Sequence, residues 1–141
     1  REVMNNMAHI TKKAYQLVGA LNKEANQLSV SIKTKLDEAA KAYAKAKEYW
    51  DSCDFPIADC YHPRHAYDEV NSLKALEKDL RNKSASLRKW LDKFEWVEVT
   101  TGKGYTFVAA TVSIKQAEFI RGLYVQYNSL LNKYYPKKGD E

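Results

Sequence analysis

From Val3 to Trp50 the apolar and small residues keep a single register: Val3, Met7, Ile10, Ala14, Leu17, Leu21, Ala25, Leu28, Ile32, Leu36, Ala39, Tyr43, Ala46 and Trp50. Every step is three or four residues. The mean is the period of about 3.6 of a nearly straight α-helix, not the period of about 3.5 of a supercoiled heptad. Lys, Glu, Gln and Asn fill the opposite face, and only Gly19 interrupts, at about 1 kcal/mol relative to alanine. The pattern predicts one helix over about 2–50 that is roughly 70 Å long. That exceeds the diameter of a compact domain of this size, so an elongated molecule is expected.

The segment 51–62, DSCDFPIADCYH, ends that helix with turn formers and Pro56, and Pro63 suits the first turn of a second one. The second helix is expected over about 63–94. Its stripe is Ala66, Val70, Leu73, Leu80, Ser84, Leu87, Leu91 and Phe94, widened by Leu76. A connection this short implies antiparallel packing, with Leu36 near Lys78, Leu28 near Leu87 and Leu21 near Phe94. The second helix is then too short to cover the start of the first, leaving Val3, Met7, Ile10 and Leu17 to be covered by later elements or by another molecule.

Composition changes after Phe94. Trp96–Thr100 and Tyr105–Val108 are rich in β-branched and aromatic residues around the turn Thr101-Gly102-Lys103-Gly104, which predicts a β-hairpin over about 96–109 lying on the helices. Ser113-Ile114-Lys115-Gln116 has the spacing of a capping box and opens a third helix over about 114–135, on the stripe Ala117, Ile120, Tyr124, Tyr127, Leu131 and Tyr134. The expected fold is mainly α. It is an elongated antiparallel helical hairpin with a β-hairpin insertion and a C-terminal helix, three-helix-bundle-like, in one domain spanning 1–141. Globular composition, with 45% hydrophobic and 29% charged residues, argues against wholesale disorder. No apolar run approaches the roughly 18 residues of a membrane span.

The chain carries a net charge of +5, spread unevenly. A basic body contrasts with residues 51–62, where Asp51, Asp54 and Asp59 meet no basic residue. That is a charge dipole rather than a uniform surface for polyanions.

Reactive side chains concentrate in the connecting segment. Cys53 and Cys60 are spaced to close an eight-residue disulfide loop, worth about 2.5 kcal/mol by loop entropy and suited to an oxidising compartment. The competing readings are two free thiols, or a metal site of Cys53, Cys60, His62 and His65, whose spacing is looser than that of known zinc motifs. Metalloprotease, nucleophile-elbow, P-loop and dinucleotide signatures are absent, so neither catalysis nor a cofactor is expected.

Tyr49, Asp54, Phe55, Asp59, Tyr61 and Tyr67 gather aromatics beside acid at the tip, the composition of a protein-contact hot spot. The expected function is a non-enzymatic interaction or structural module, binding a protein partner or a second copy through that tip or through Val3, Met7, Ile10 and Leu17. A start at Arg1 and paired cysteines lean toward a processed chain in a secreted, periplasmic or surface setting. The alternative is a nucleic-acid binder using Lys33, Lys41, Lys45 and Lys47 and the basic tail with Lys137 and Lys138.

Overall fold

The computed structural model describes residues 7–52 and 63–136. In chain order its elements are strand β1 (Met7–Thr11), a 3-10 turn (Lys12–Ala14), helix α1 (Tyr15–Ser52), a 3-10 turn (Pro63–Tyr67), helix α2 (Asp68–Asp92), strands β2 (Val97–Thr100) and β3 (Thr106–Ser113), and helices α3 (Ile114–Gln126) and α4 (Asn128–Tyr134). The fold is mainly α, a helical hairpin with a small antiparallel sheet. Its contacts divide into two compact units, one of residues up to Lys23 with those from Arg81 onward, the other Glu24–Leu80.

In the unit Glu24–Leu80 the two long helices meet through Ile32, Ala39 and Val70, with Tyr67 and Leu73 packed against them. The Tyr43 and Tyr67 rings lie 5.7 Å apart, and Lys35 Nζ reaches Glu69 Oε1 at 3.5 Å. The partner residue falls from 69 to 67 as α1 advances from 35 to 43, so the helices run antiparallel, as expected. The register differs. The Lys35–Glu69 pair puts this stretch of α1 against the start of α2, not against Lys78. The apolar cluster sets the alignment, and it does not coincide with the midpoint of the connecting segment.

In the other unit the first residues depart from the expected helix. Met7–Thr11 is a strand that pairs antiparallel with β3, from Met7 opposite Ser113 to Thr11 opposite Ala109. β2 pairs with the other edge of β3, giving the order β1-β3-β2. The expected hairpin is thus two strands of a three-stranded sheet, and β3 runs on to Ser113. Met7, Ile10 and Ala14 fit a helical stripe by spacing. Pairing to β3 fills the second edge of that central strand and buries Ile10 in the same step.

Helix α1 therefore starts at Tyr15, and its first turns are buried on a broad face: Leu17, Val18, Ala20 and Leu21 are all covered. Ser84, 1% exposed, marks a close approach of α2 and donates to the Val18 carbonyl oxygen at 3.1 Å. Helix α2 ends with Lys93 N–H and Phe94 N–H donating three residues back, to Trp90 and Leu91, and the Trp96 indole N–H donates to the Leu91 carbonyl at 3.0 Å. These bonds occupy carbonyls that a helix end otherwise leaves unpaired. Gly104 supplies the left-handed residue of the β2–β3 turn, with φ 87°.

The capping box forms as expected. Gln116 N–H donates to Ser113 Oγ at 3.2 Å, and Ser113 N–H donates to Gln116 Oε1 at 2.8 Å. The third helix breaks at Tyr127, whose φ of −106° and ψ of 21° leave the helical region and divide it into α3 and α4.

Gly19 has a packing role. A Cβ there would collide with the Tyr135 hydroxyl and lie 3.1 Å from the ring carbon that bears it. The same ring receives Lys23 Nζ at 4.3 Å from its centroid. Alanine in a helix interior ordinarily stabilises by about 1 kcal/mol over glycine. Here the Tyr135 ring, held by Lys23, must move to admit the Cβ, which opposes that gain. Gly19→Ala is expected to destabilise by about 1 kcal/mol, and in a Tyr135→Ala background to stabilise by about as much. Urea unfolding of the four proteins of this double-mutant cycle measures the sign reversal.

Candidate partner-binding groove

An apolar groove of about 750 Å³ opens between α2 and α3. Its lining includes the buried Leu21 and Leu87, with Trp90, Phe119, Leu123 and Tyr127 beside them. Asn82, Lys83, Ser86, Lys115, Gln116 and Gln126 supply its polar lining, which contains two lysines and no carboxylate. The capping box at Ser113 fixes where α3 begins, and hence which of its residues face α2.

Trp90 and Phe119 meet edge to face, with centroids 5.3 Å apart. Trp90 also meets Phe94 at 4.8 Å, Phe94 meets Trp96 at 6.5 Å, and Trp96 meets Tyr15 at 5.5 Å. Five rings thus run in contact from the start of α1 to the groove. Such pairs add about 0.5–1.5 kcal/mol each beyond area burial and hold the ring orientations. Phe119 is nevertheless 54% exposed.

At the far end of this chain Tyr15 donates its hydroxyl to Asp92 Oδ1 at 2.6 Å. Burial, reinforced by this hydrogen bond and by the Asp92 charge, pushes the hydroxyl up to about 12.

Among the described residues, none of those expected to bind a partner lines this groove. Cys53, Asp54, Phe55, Asp59, Cys60, Tyr61 and His62 fall outside the described residues, as does Val3. The expected disulfide and all of the tip cluster except Tyr49 and Tyr67 fall there with them. Tyr49 is exposed on α1, whereas Tyr67 is half-buried against Tyr43. Of the expected helix start, Ile10 and Leu17 are buried and Met7 is 41% exposed on β1. The chain itself covers Ile10 and Leu17, because α2 reaches Tyr15 through Asp92 and the sheet takes in Ile10.

His65 Nδ1 lies 2.9 Å from Asp68 Oδ2, a partly exposed pair at the start of α2. Among the described residues no group of three or more His, Cys, Asp or Glu side chains is placed to hold a metal ion, and no helix is long and apolar enough to cross a membrane. Lys33, Lys41, Lys45 and Lys47 are exposed on α1, with Asp37, Glu38 and Glu48 interleaved.

The expectation missed Trp90 and Phe119, but a signal existed. Both are large aromatics one step outside their stripes, beside Leu91 in α2 and Ile120 in α3. An aromatic beside the core stripe widens the apolar face toward a neighbouring element, as Trp90 and Phe119 do toward each other.

Comparison with known protein families, with curated proteins and with solved structures returns no match for this chain.

The Tyr15–Asp92 bond gives a directional pH prediction. The neutral tyrosine is favoured in the folded state. Its contribution is therefore complete below about pH 10, where an unfolded tyrosine is still protonated, and is lost as pH rises toward about 12. Tyr15→Phe is expected to flatten that stretch of the stability profile and to remove one late-titrating component from the tyrosinate absorbance at alkaline pH. Matched denaturation and absorbance titrations of the two proteins measure both.

Proposed function

We propose that this chain is a non-enzymatic protein-interaction module whose groove takes an amphipathic segment of a partner protein, apolar on one face and acidic at its edge. The observation that carries the reading is Phe119, 54% exposed at the end of a continuous chain of packed rings and beside a groove of about 750 Å³. Large single-site apolar exposure of this kind, held rigid by neighbours, is the composition of an interface anchor. Burying such a ring stabilises a complex by about 1.5–3 kcal/mol before ordering costs are counted.

Charge selects the occupant. No carboxylate lines the groove and Lys115 stands in its wall, so a basic segment meets like charge there and an acidic one meets opposite charge. The shape supports a helix laid between α2 and α3, with apolar residues at i, i+3, i+4 and i+7 directed inward.

The test is calorimetric titration of the chain with a designed amphipathic helical peptide bearing Leu on one face and Glu at its edges. A scrambled peptide of the same composition and a version with Lys for Glu serve as comparisons. Saturable binding of the acidic helix is expected, at least tenfold tighter than either comparison. Phe119→Asp should weaken it by tenfold or more, and Lys115→Glu should shift preference toward the Lys peptide. Equal binding of helix and scramble, or indifference to Phe119→Asp, contradicts the reading. A concentration-dependent dimer in light scattering that Phe119→Asp abolishes would give the groove to a second copy instead.

A further inference from the structure

A second cavity, of about 460 Å³, lies where β1, the start of α1, α3 and α4 converge. It differs in chemistry from the groove. Lys13, Arg121 and His9 line it, with Gln16, Asn128 and Asn132 adding amides, and no carboxylate is present. Ile10 and Ile120, both buried, form apolar wall, and the half-buried rings of Tyr124 and Tyr135 complete it. These elements form one concavity whose ionisable lining includes basic groups and no acidic one.

Neighbours hold His9 and Tyr135 in place. His9 Nδ1 lies 3.3 Å from Thr111 Oγ1, its cross-strand partner in the sheet. Tyr135 packs over Gly19 and under Lys23. The Tyr124 hydroxyl, whose pKa burial raises from its ordinary value, can donate or accept a hydrogen bond there.

We infer that this cavity binds a small phosphate monoester with an aromatic body, its phosphate met by Arg121 and Lys13 and its ring set against Tyr124 and Tyr135. Two permanent cations with an imidazole beside them suit a dianion better than a single carboxylate, and a guanidinium pairs with phosphate through two parallel hydrogen bonds. Aromatic faces and short amides suit a planar, hydrogen-bonding body. The volume is that of a small-molecule site, large enough for a mononucleotide-sized ligand and too small for a folded segment of a partner. This inference is independent of the groove, which shares no lining residue with this cavity.

The experiment is a chemical-shift and calorimetric titration of the chain with adenosine 5′-monophosphate. Adenosine, inorganic phosphate and a short single-stranded oligonucleotide are titrated in parallel. Saturable binding of the monophosphate is expected, at least tenfold tighter than adenosine or phosphate alone, weakening as salt rises, with shifts centred on Lys13, Arg121 and Tyr124. Arg121→Gln and Lys13→Gln, both at exposed positions, should each weaken binding by tenfold or more with the thermal midpoint unchanged. Asn132→Trp should block the cavity, and Phe119→Asp should leave binding intact. No saturable binding up to millimolar monophosphate overturns the inference, as does binding indifferent to Arg121→Gln and Lys13→Gln. An oligonucleotide that binds more tightly than the monophosphate also overturns it, marking an open surface for a polymer.

Discussion

The pairing of β1 with β3 is the constraint on which the larger unit depends. β3 is the central strand, and its consecutive residues Ala109 and Ala110 are both buried, so neither of its faces is left to solvent there. Two strands alone make a marginal hairpin in water. The third strand completes the ladder on the second edge and puts Ile10 opposite Ala110, where it is buried. Because β1 runs through a single 3-10 turn into α1, and β3 runs through the Ser113 cap into α3, the sheet register fixes where both helices begin. The cavity lined by His9, Ile10 and Arg121 follows from that register.

Small residues set how closely the elements approach. Ser84 brings α2 onto α1 and spends its hydroxyl on the Val18 carbonyl, leaving no buried polar side chain unsatisfied among the described residues. Gly19 leaves room for the Tyr135 ring, and alanines at 109 and 110 let helices lie over the sheet. Between these close approaches the large rings of Trp90, Phe94, Trp96 and Tyr15 fill the remaining space. The groove is where this filling runs out: Phe119 has ring contact on one side and solvent on the other.

Much of this was legible in residue spacing. The stripes of α1 and α2 identified Leu17, Leu21, Ala25, Ile32, Ala39, Val70, Leu80, Ser84, Leu87 and Leu91, all buried. The Ser113–Gln116 box and the glycine turn were written in short local motifs, where side-chain chemistry alone decides the conformation. Met7–Thr11 was misread because steps of three and four happen to continue upstream of Tyr15, and spacing carries no information about a partner strand a hundred residues away. The helix alignment was missed for a related reason: a count of connecting residues does not say which apolar side chains meet. The groove lies between two stripes, and the aromatics that line it stand beside the buried face of each helix rather than on it.

The conformation of residues 7–14 decides whether the sheet sets the start of both helices, and nuclear magnetic resonance reads it without a functional assay. Extended-strand carbon shifts over Met7–Thr11, with cross-strand Overhauser contacts from Ile10 to Ala110 and from His9 to Thr111, are the predicted result. Helical shifts running unbroken from Met7 into Tyr15, with no contact to residues 109–113, would contradict it.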